Sequence, residues 1–550
     1  MTRHARRIAG LLTAALSLAL PARADTLVTG LDGTSIDAAG GIDHFTGLII
    51  ANDGRIAQVL HRGDKPPRAD YAVDLHGRSV IPGFVDGDAH VMALGLTTLT
   101  LDLADTRTLA EAQARIAAYA AAHPDRGWII GRGWDAARWG LTRPLTAADL
   151  DAALADRPAF LTSADGHAGW ANSRALALAH VTAAMPDPAG GRIERGPGHA
   201  PGGILVDRAM ALVANLLPPL RADDRDLAFA NAQDILLRHG ITAVTDMGTS
   251  IEDWQTYRRA GDVGRLQIRI LAYADTTEAM ALIGGPGPTP WLYDDRLRLN
   301  GVFLTLDGTL AQHSALLRSP YADDPGTRGL ALVSDTRLKN LMSRAAIDHF
   351  QVAVHAAGDA AVGGLLGAIA ELAQTYEGER RWRIEDADVL DAADLALLGQ
   401  HGAVITMRPE PLATGQAMAE ARLGAGRLGE AWAWKSAAAS GAAFALATGA
   451  PASPPDPFAA LATAITREDG DARPFGGWQP QECLTREAAL AALTTGAAYA
   501  GFAEAHFGRI AVGQRADFLV IDQDPMLASP AALRQTQVLE VWIGGRKVRG

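Results

Sequence analysis

The chain has 550 residues, of which 48% are hydrophobic and 20% are charged, so it can bury a large apolar core. This composition excludes intrinsically disordered and fibrous proteins. The formal net charge of −12 argues against nucleic acid as a partner, because a nucleic-acid-binding surface needs an excess of basic residues.

The first 24 residues have the features of a secretory signal peptide. They contain four arginines and no acidic residue, and an apolar run over Ile8–Leu20 precedes the small-residue triplet Ala22–Ala24. This order predicts cleavage after Ala24 and a periplasmic or secreted protein. The run is shorter than the about 20 residues that a membrane anchor needs, and no later apolar stretch is long enough, so we expect no membrane span. Cys483 is the only cysteine, which excludes an intramolecular disulfide.

Short strands separated by turn residues are predicted at both ends of the mature chain, over residues 25–82 and 508–550. The two ends share this β-rich texture, whereas the segment between them alternates between strands and helices. We therefore expect one small β-sandwich built from both termini, with a separate domain over residues 83–507.

That middle segment contains eight apolar runs typical of buried strands, most of them followed by an amphipathic stretch. The runs are Val80–Asp86, Ile241–Gly248, Leu266–Asp275, Leu299–Asp307, Val352–Asp359, Trp382–Asp388, Ala403–Glu410 and Ala442–Ala450. Eight strands with intervening helices predict an α/β fold, a TIM-like (β/α)8 barrel. Residues 97–225 are too many for one crossover and are rich in Trp, Pro and Gly, which indicates an inserted lid domain over the barrel mouth.

In such barrels the carboxyl ends of the strands carry the chemistry, so polar residues there are candidate site residues. Asp88 and His90 follow the first strand, and side chains two positions apart on an extended chain point the same way. His355 ends the fifth strand and Asp386 the sixth, so these four could hold one divalent ion. Asp307, which ends the fourth strand, joins Asp88 and Asp386 as a candidate acid or base. An acid before a helix can also serve as a cap, which is the alternative for Asp386.

Further candidates could contact a substrate. His167 lies between glycine and tryptophan in the inserted region, where it either meets a ligand or bonds to the backbone. Trp134 either lines a pocket or fills the core of the insert. Arg408 ends the seventh strand and suits an anionic group, unless Glu385 or Glu410 neutralises it.

Several sequence motifs, in the same order, make the chain similar to the amidohydrolase superfamily, and most similar to the amidohydrolase-3 branch that includes N-substituted formamide deformylases. The resemblance covers essentially the whole mature chain and implies a metal-dependent (β/α)8 hydrolase that acts on C–N bonds of small molecules. The motifs are Val80–Asp86, Gly127–Asp135, Asp165–Ser173, Asp307-Gly308, Ser319-Pro320-Tyr321, His355–Asp359 and Arg383-Ile384-Glu385.

The resemblance also implies a set of metal ligands, and four of the six expected positions are altered. The family's first His-x-His is Asp88-Ala89-His90, and its carboxylated lysine falls on Phe303, whose ring cannot ligate a metal. His355 matches, but the next family histidine is Asp386. The family's aspartate after strand eight, a general base and ligand, falls on Gly449. A binuclear centre is therefore not expected.

Three interpretations follow for the altered site. One divalent ion, Zn or similar, could be held by Asp88, His90, His355 and Asp386. Alternatively, the reaction could be metal-free, with Asp86, Asp88, Asp307 or Asp386 as acid or base, its pKa raised by apolar neighbours such as Phe303, which is also a candidate for contact with the substrate. Thirdly, the chain could be a pseudoenzyme that binds a small molecule without turnover. We give precedence to a hydrolase with a small-molecule ligand, and a homodimer is compatible with the sequence.

Overall fold

The computed structural model describes residues 25–37 and 39–550, so the predicted signal peptide, residues 1–24, lies outside the described residues. The described residues form three β-sheets. Their strands are β1 (Thr26–Ile36), β2 (Ile42–Phe45), β3 (Gly47–Ile50), β4 (Ile56–Leu60), β5 (Tyr71–Pro82), β6 (Phe84–Ala89), β7 (Leu101–Asp102), β8 (Ile129–Trp134), β9 (Ala159–Ser163), β10 (Ala168–Ala171), β11 (Gly191–Arg195), β12 (Pro201–Asp207), β13 (Ile241–Thr249), β14 (Arg269–Ala274), β15 (Leu297–Thr305), β16 (Gln351–Ala356), β17 (Arg383–Asp386), β18 (Val404–Met407), β19 (Ala443–Leu446), β20 (Phe518–Ile521), β21 (Val538–Ile543) and β22 (Arg546–Arg549).

Helices connect the strands of the parallel sheet that contains β6 and β13–β19, and further helices lie in the inserted segment and in the C-terminal segment. They are α1 (Val91–Leu96), α2 (Leu109–Ala122), α3 (Ala147–Asp151), α4 (Ser173–Leu178), α5 (Ala211–Ala214), α6 (Ala222–Arg238), α7 (Ile251–Asp262), α8 (Thr277–Gly284), α9 (Asp335–Ile347), α10 (Asp359–Leu372), α11 (Ala392–Leu398), α12 (Glu410–Leu423), α13 (Trp434–Ala439), α14 (Pro457–Thr466), α15 (Arg486–Ala491), α16 (Ala497–Ala500) and α17 (Pro530–Leu533). Within the described ranges, none of these helices has both the length and the apolar character needed to cross a membrane.

The central sheet contains β6 and β13–β19, which lie side by side in chain order with every neighbouring pair parallel. Its two edges come together, because a Cβ on Gly87 of β6 would lie 2.8 Å from the Leu446 carbonyl oxygen of β19. The predicted TIM-like (β/α)8 fold is confirmed, and each of the eight predicted runs overlaps one of these strands. The first strand starts later than predicted, at Phe84, because Val80–Pro82 continues β5.

Both termini contribute to one mixed sheet. Strand β5 pairs in parallel with β1 on one side and antiparallel with β20 on the other, so the C-terminal segment is joined directly to the N-terminal one. Apolar residues from both segments, such as Phe45 and Phe518, share a separate core. A buried ion pair between Arg269 of β14 and Asp517 connects this sheet to the barrel.

The inserted segment between α1 and α6 forms its own sheet in the order β11-β12-β10-β9-β8-β7. Three tryptophans, Trp134, Trp139 and Trp170, fill its core with rings in edge-to-face contact. This sheet supplies one wall of the cavity at the mouth of the barrel.

Candidate active site

A cavity of about 410 Å³ lies between the carboxyl ends of the barrel strands and the inserted sheet. Parallel strands end at the same rim, so residues distant in sequence converge there. Of the residues predicted from the sequence, the structure brings seven to the cavity wall: Asp88, His90, His167, Phe303, His355, Asp386 and Arg408. Trp134 and Asp307 lie elsewhere.

Asp386 is the centre of a buried charge cluster. One of its carboxylate oxygens contacts Nδ1 of His355, and the other forms an ion pair with Nε of Arg408. Burial raises the pKa of Asp386, but Arg408 and His355 outweigh it and hold this pKa well below its ordinary range. Burial lowers the pKa of His355, whereas Asp386 and Asp307 raise it, with a net value of about 10. The cluster therefore contains two cations and one anion at neutral pH.

Asp88 and His90 lie at the end of β6, at the edge of this cluster. The Asp88 side chain is buried, and its Oδ1 has no hydrogen-bond partner among the described residues. Burial raises the pKa of Asp88, and the nearby charge of Asp386 adds to the increase, while His90 and Arg408 oppose it. Nδ1 of His90 is 2.6 Å from the carbonyl oxygen of Met247 and therefore donates to it, which leaves Nε2 as the ring nitrogen available to a ligand.

The guanidinium of Arg408 fills space that a side chain at position 449 would need. A Cβ built on Gly449 would lie 2.4 Å from Cδ of Arg408 and 2.8 Å from its Nη1. Gly449 also has φ of +69°, a conformation that favours glycine. The positively charged Arg408 side chain thus lies between Asp386 and Gly449. Position 449 is the one at which the resemblance implies an acidic metal ligand.

Phe303 lies on β15 with its ring in the cavity wall, 6.2 Å between ring centres from His90. It also lines a second cavity of about 510 Å³, which it shares with His167. Within the described ranges, no three His, Cys, Asp or Glu side chains are grouped so that they could hold a metal ion.

Among the described residues, the hydrogen bonds that Asp307 accepts all come from the backbone. Its Oδ2 accepts from the N–H groups of Leu316 (2.7 Å) and Gly358 (2.9 Å), and its Oδ1 accepts from Ala357 (2.9 Å). Burial raises its pKa to about 6, against the opposing charge of His355. In this arrangement the carboxylate anchors the loops that follow β15 and β16, and it does not line the cavity.

Trp134 lies in the core of the inserted domain. Its Nε1 donates to the Leu161 carbonyl oxygen at 2.7 Å, and its ring packs against Trp170. Of the two sequence-based interpretations of this residue, the structure shows the core position.

His167 is held by two contacts. Its Nδ1 is 2.6 Å from Oδ1 of Asp207, and its ring is stacked on that of His355 with centres 5.2 Å apart. A carboxylate oxygen accepts hydrogen bonds, so Nδ1 carries a hydrogen, and in the neutral ring the lone pair is on Nε2. Asp207 has φ of +50° and ψ of −122°, and its Oδ2 has no hydrogen-bond partner among the described residues.

Asp207 and Arg132 line these cavities and were not among the site residues predicted from the sequence. Asp207 ends β12 in the inserted sheet, and no sequence motif distinguishes it from other acids of the insert. Arg132 stands between Gly131 and Gly133 on β8, and this Gly-Arg-Gly sequence was the available signal. Both depend on how the insert folds onto the barrel.

The profile of the amidohydrolase family matches residues 72–549. Among curated proteins, a putative amidohydrolase from Bacillus subtilis, YtcJ, is 29% identical over 86% of this chain and 90% of its own length. The N-substituted formamide deformylase of Arthrobacter pascens is 26% identical over 90% of this chain and 94% of its own length.

Solved structures show the same architecture. An uncharacterized metal-dependent hydrolase from Pyrococcus horikoshii superposes with a TM-score of 0.74 at 23% identity, covering 92% of this chain and 99% of that one. A metal-dependent hydrolase from Pyrococcus furiosus gives 0.70 at 26% identity, covering 91% and 100%. The chain therefore belongs to the amidohydrolase family.

Proposed function

We propose that this protein is an exported hydrolase that cleaves a C–N, amide-like bond of a small organic molecule without a metal ion. The proposal rests on one observation: Arg408 is paired with Asp386 and occupies the space left by Gly449. The residues do not suit a divalent ion, because Asp386 is already neutralised on both oxygens and Phe303 offers no ligand atom. The family membership supports hydrolysis, and residues 1–24 support export.

His167 is the residue best placed to activate water. Its Nε2 lone pair can accept a proton from water as the water oxygen attacks the carbonyl carbon of the substrate. The hydrogen bond to Asp207 fixes the tautomer that this step needs. The C–N bond then breaks while the proton passes to the leaving nitrogen, which gives a carboxylic acid and an amine.

The charge cluster supplies the electrostatic part of the reaction. With His355 protonated, an imidazolium and a guanidinium lie on either side of Asp386 in the cavity wall. A fixed positive charge in a buried site stabilises the negative oxygen that forms on the attacked carbonyl. A guanidinium and an imidazolium thereby supply the positive charge that a metal ion would supply in a metal-dependent hydrolase.

Metal analysis tests this proposal. We expect protein purified without chelator to contain well below one divalent ion per chain by mass spectrometry. Turnover of a panel of N-substituted formamides and N-acyl amino acids should survive dialysis against EDTA, because the proposed reaction uses no metal ion. One tightly held ion per chain, whose removal abolishes turnover and whose return restores it, would refute metal-independent hydrolysis.

Restoring the missing lysine provides a second test. We expect Phe303→Lys alone to bind no pair of metal ions, because Asp88, Asp386 and Gly449 still differ from the family pattern. In addition, Arg408 would repel a cation placed beside Asp386. Two ions per chain in this variant, measured against Phe303→Leu as the control, would contradict this expectation.

The second candidate function is a small-molecule binding protein without turnover. This function is favoured by the ion pairs of Asp386, which contacts His355 with one carboxylate oxygen and Arg408 with the other. Neither Asp386 nor His355 is then available as a catalytic acid or base. A binder would be stabilised against heat by members of the same panel without releasing product. Product formation that scales with enzyme concentration would exclude it.

A further inference from the structure

The second cavity, of about 510 Å³, adjoins the cavity at the barrel mouth. Gly166, His167, Phe303 and Thr305 line both cavities, so the two meet at these residues. His167 is the residue best placed to activate water, and it therefore stands at the junction. A substrate whose scissile bond lies beside His167 can extend into both cavities.

The cations of the site lie on one side of this junction. Arg408 and His355 line the first cavity, of about 410 Å³, but not the second. The carbonyl oxygen of the substrate has to face these cations if they are to stabilise its negative charge during attack. The acyl part of the substrate then lies in the first cavity, and the nitrogen with its substituent is directed toward the second.

The wall of the second cavity suits an apolar substituent. Asp207 is bonded to His167, and the other charged side chains in this wall are exposed and include two of each sign, so they favour neither an anion nor a cation. These charged residues are Arg208, Asp275, Glu278 and Arg337. The apolar side chains of the wall are Met210, Phe303, Leu304, Leu332, Val333 and Leu341. Covering such side chains with an apolar group is favourable.

The first cavity offers apolar surface to the acyl group. Ala93 and Leu96 of α1, Ile130 of β8 and Ala452 line it. A formyl group has no carbon chain that could cover these side chains, whereas a longer acyl chain could. The two cavities together thus present apolar surface on both sides of the scissile bond.

We propose that the site takes secondary amides with an apolar group on each side of the amide bond, the acyl chain in the first cavity and the nitrogen substituent in the second. This inference rests on the proposed hydrolysis for the orientation of the C–N bond. It assigns a specificity-determining role to Leu341 of α9 on the nitrogen side and to Leu96 on the acyl side.

Isothermal titration of the full chain with three ketones tests the inference. In each ketone a methylene group replaces the amide N–H, so none can be hydrolysed and each reports binding alone. Phenethyl propyl ketone has both apolar groups, ethyl propyl ketone lacks the phenyl ring on the nitrogen side, and phenethyl methyl ketone lacks most of the acyl chain. We expect the wild-type protein to bind the first about 10- to 100-fold more tightly than either of the others, because each missing group forfeits buried apolar surface.

Two tryptophan substitutions separate the cavities. Leu341→Trp reduces the space in the second cavity and should abolish the preference for the phenyl ring while the preference for the longer acyl chain persists. Leu96→Trp should have the reverse effect. Leu282→Trp makes the same change at a leucine of α8 that is 75% exposed and lines neither cavity, so it should behave as wild type. Thermal unfolding checks the fold of each variant.

Equal binding of the three ketones by the wild-type protein, or loss of both preferences in a folded variant, would overturn the assignment. Hydrolysis is followed separately, as release of benzylamine from N-benzylbutanamide. The expected ketone preferences without benzylamine release would refute the proposed hydrolysis and leave the assignment of the two cavities standing. Benzylamine release without these preferences would support hydrolysis and overturn the assignment.

Discussion

Asp207→Asn is expected to lower kcat about 10²- to 10⁴-fold while KM for the same substrate changes little. The amide nitrogen of Asn can donate to Nδ1 of His167, which moves the hydrogen to Nε2 and removes the lone pair that water activation needs. Asn has the same size and shape as Asp, so the substitution adds no steric demand on the unusual backbone at this position, φ +50°. Steady-state kinetics on an N-acyl substrate, with binding measured separately, separates the two parameters.

The matched control for this experiment is Asp125→Asn, an exposed acid of the same inserted segment. It should leave both kcat and KM unchanged. If Asp207→Asn reduced kcat less than twofold, or raised KM in proportion, then Asp207 would act on binding or folding and His167 would not be the base. Asp207 is thus a positioning residue, since it acts through His167 and does not touch the substrate.

Arg269→Met is expected to lower the free energy of unfolding by about 3–5 kcal/mol. Asp517 holds Arg269 through two parallel contacts, and both side chains are at most 3% exposed. Arg269 also donates to the carbonyl oxygens of Asp294 and Asp295, at 2.8 and 2.9 Å. Removing the guanidinium leaves a buried carboxylate without its partner and loosens the terminal sheet from the barrel.

Chemical denaturation of the full chain measures this difference. Arg238→Met is the control, because Arg238 forms an exposed ion pair with Asp234 one helical turn away, worth under about 1 kcal/mol. A loss at Arg269 no larger than the loss at Arg238 would show that the terminal sheet is held to the barrel by other contacts.

The barrel could be predicted because its strands are continuous apolar runs separated by helices, a pattern that a parallel sheet buried on both faces requires. The first strand was predicted to start four residues too early, since Val80–Pro82 is equally apolar but belongs to the terminal sheet. Local pattern does not reveal that the chain changes sheet at Gly83. There a Cβ would lie 2.2 Å from Oγ1 of Thr242, so the crossing point needs glycine.

The candidate site was only partly predictable. Strand order placed Asp88, His355 and Asp386 at one rim, but which side chains pair with one another depends on rotamers and on the loops above them. The ion pair between Asp386 and Arg408 is such a contact. Asp207 could not be recognised because its position over His167 depends on how the inserted sheet packs against the barrel, which leaves no periodic signal.

The close contact between Gly449 and Arg408 limits which substitutions position 449 can accept. A mutation that returned an acid to position 449 would drive its Cβ into the stem of Arg408. The arginine would have to be lost first, and that loss by itself removes one of the two cations paired with the buried Asp386 carboxylate. We therefore expect an acid at position 449 to be accommodated only together with a second substitution, at position 408.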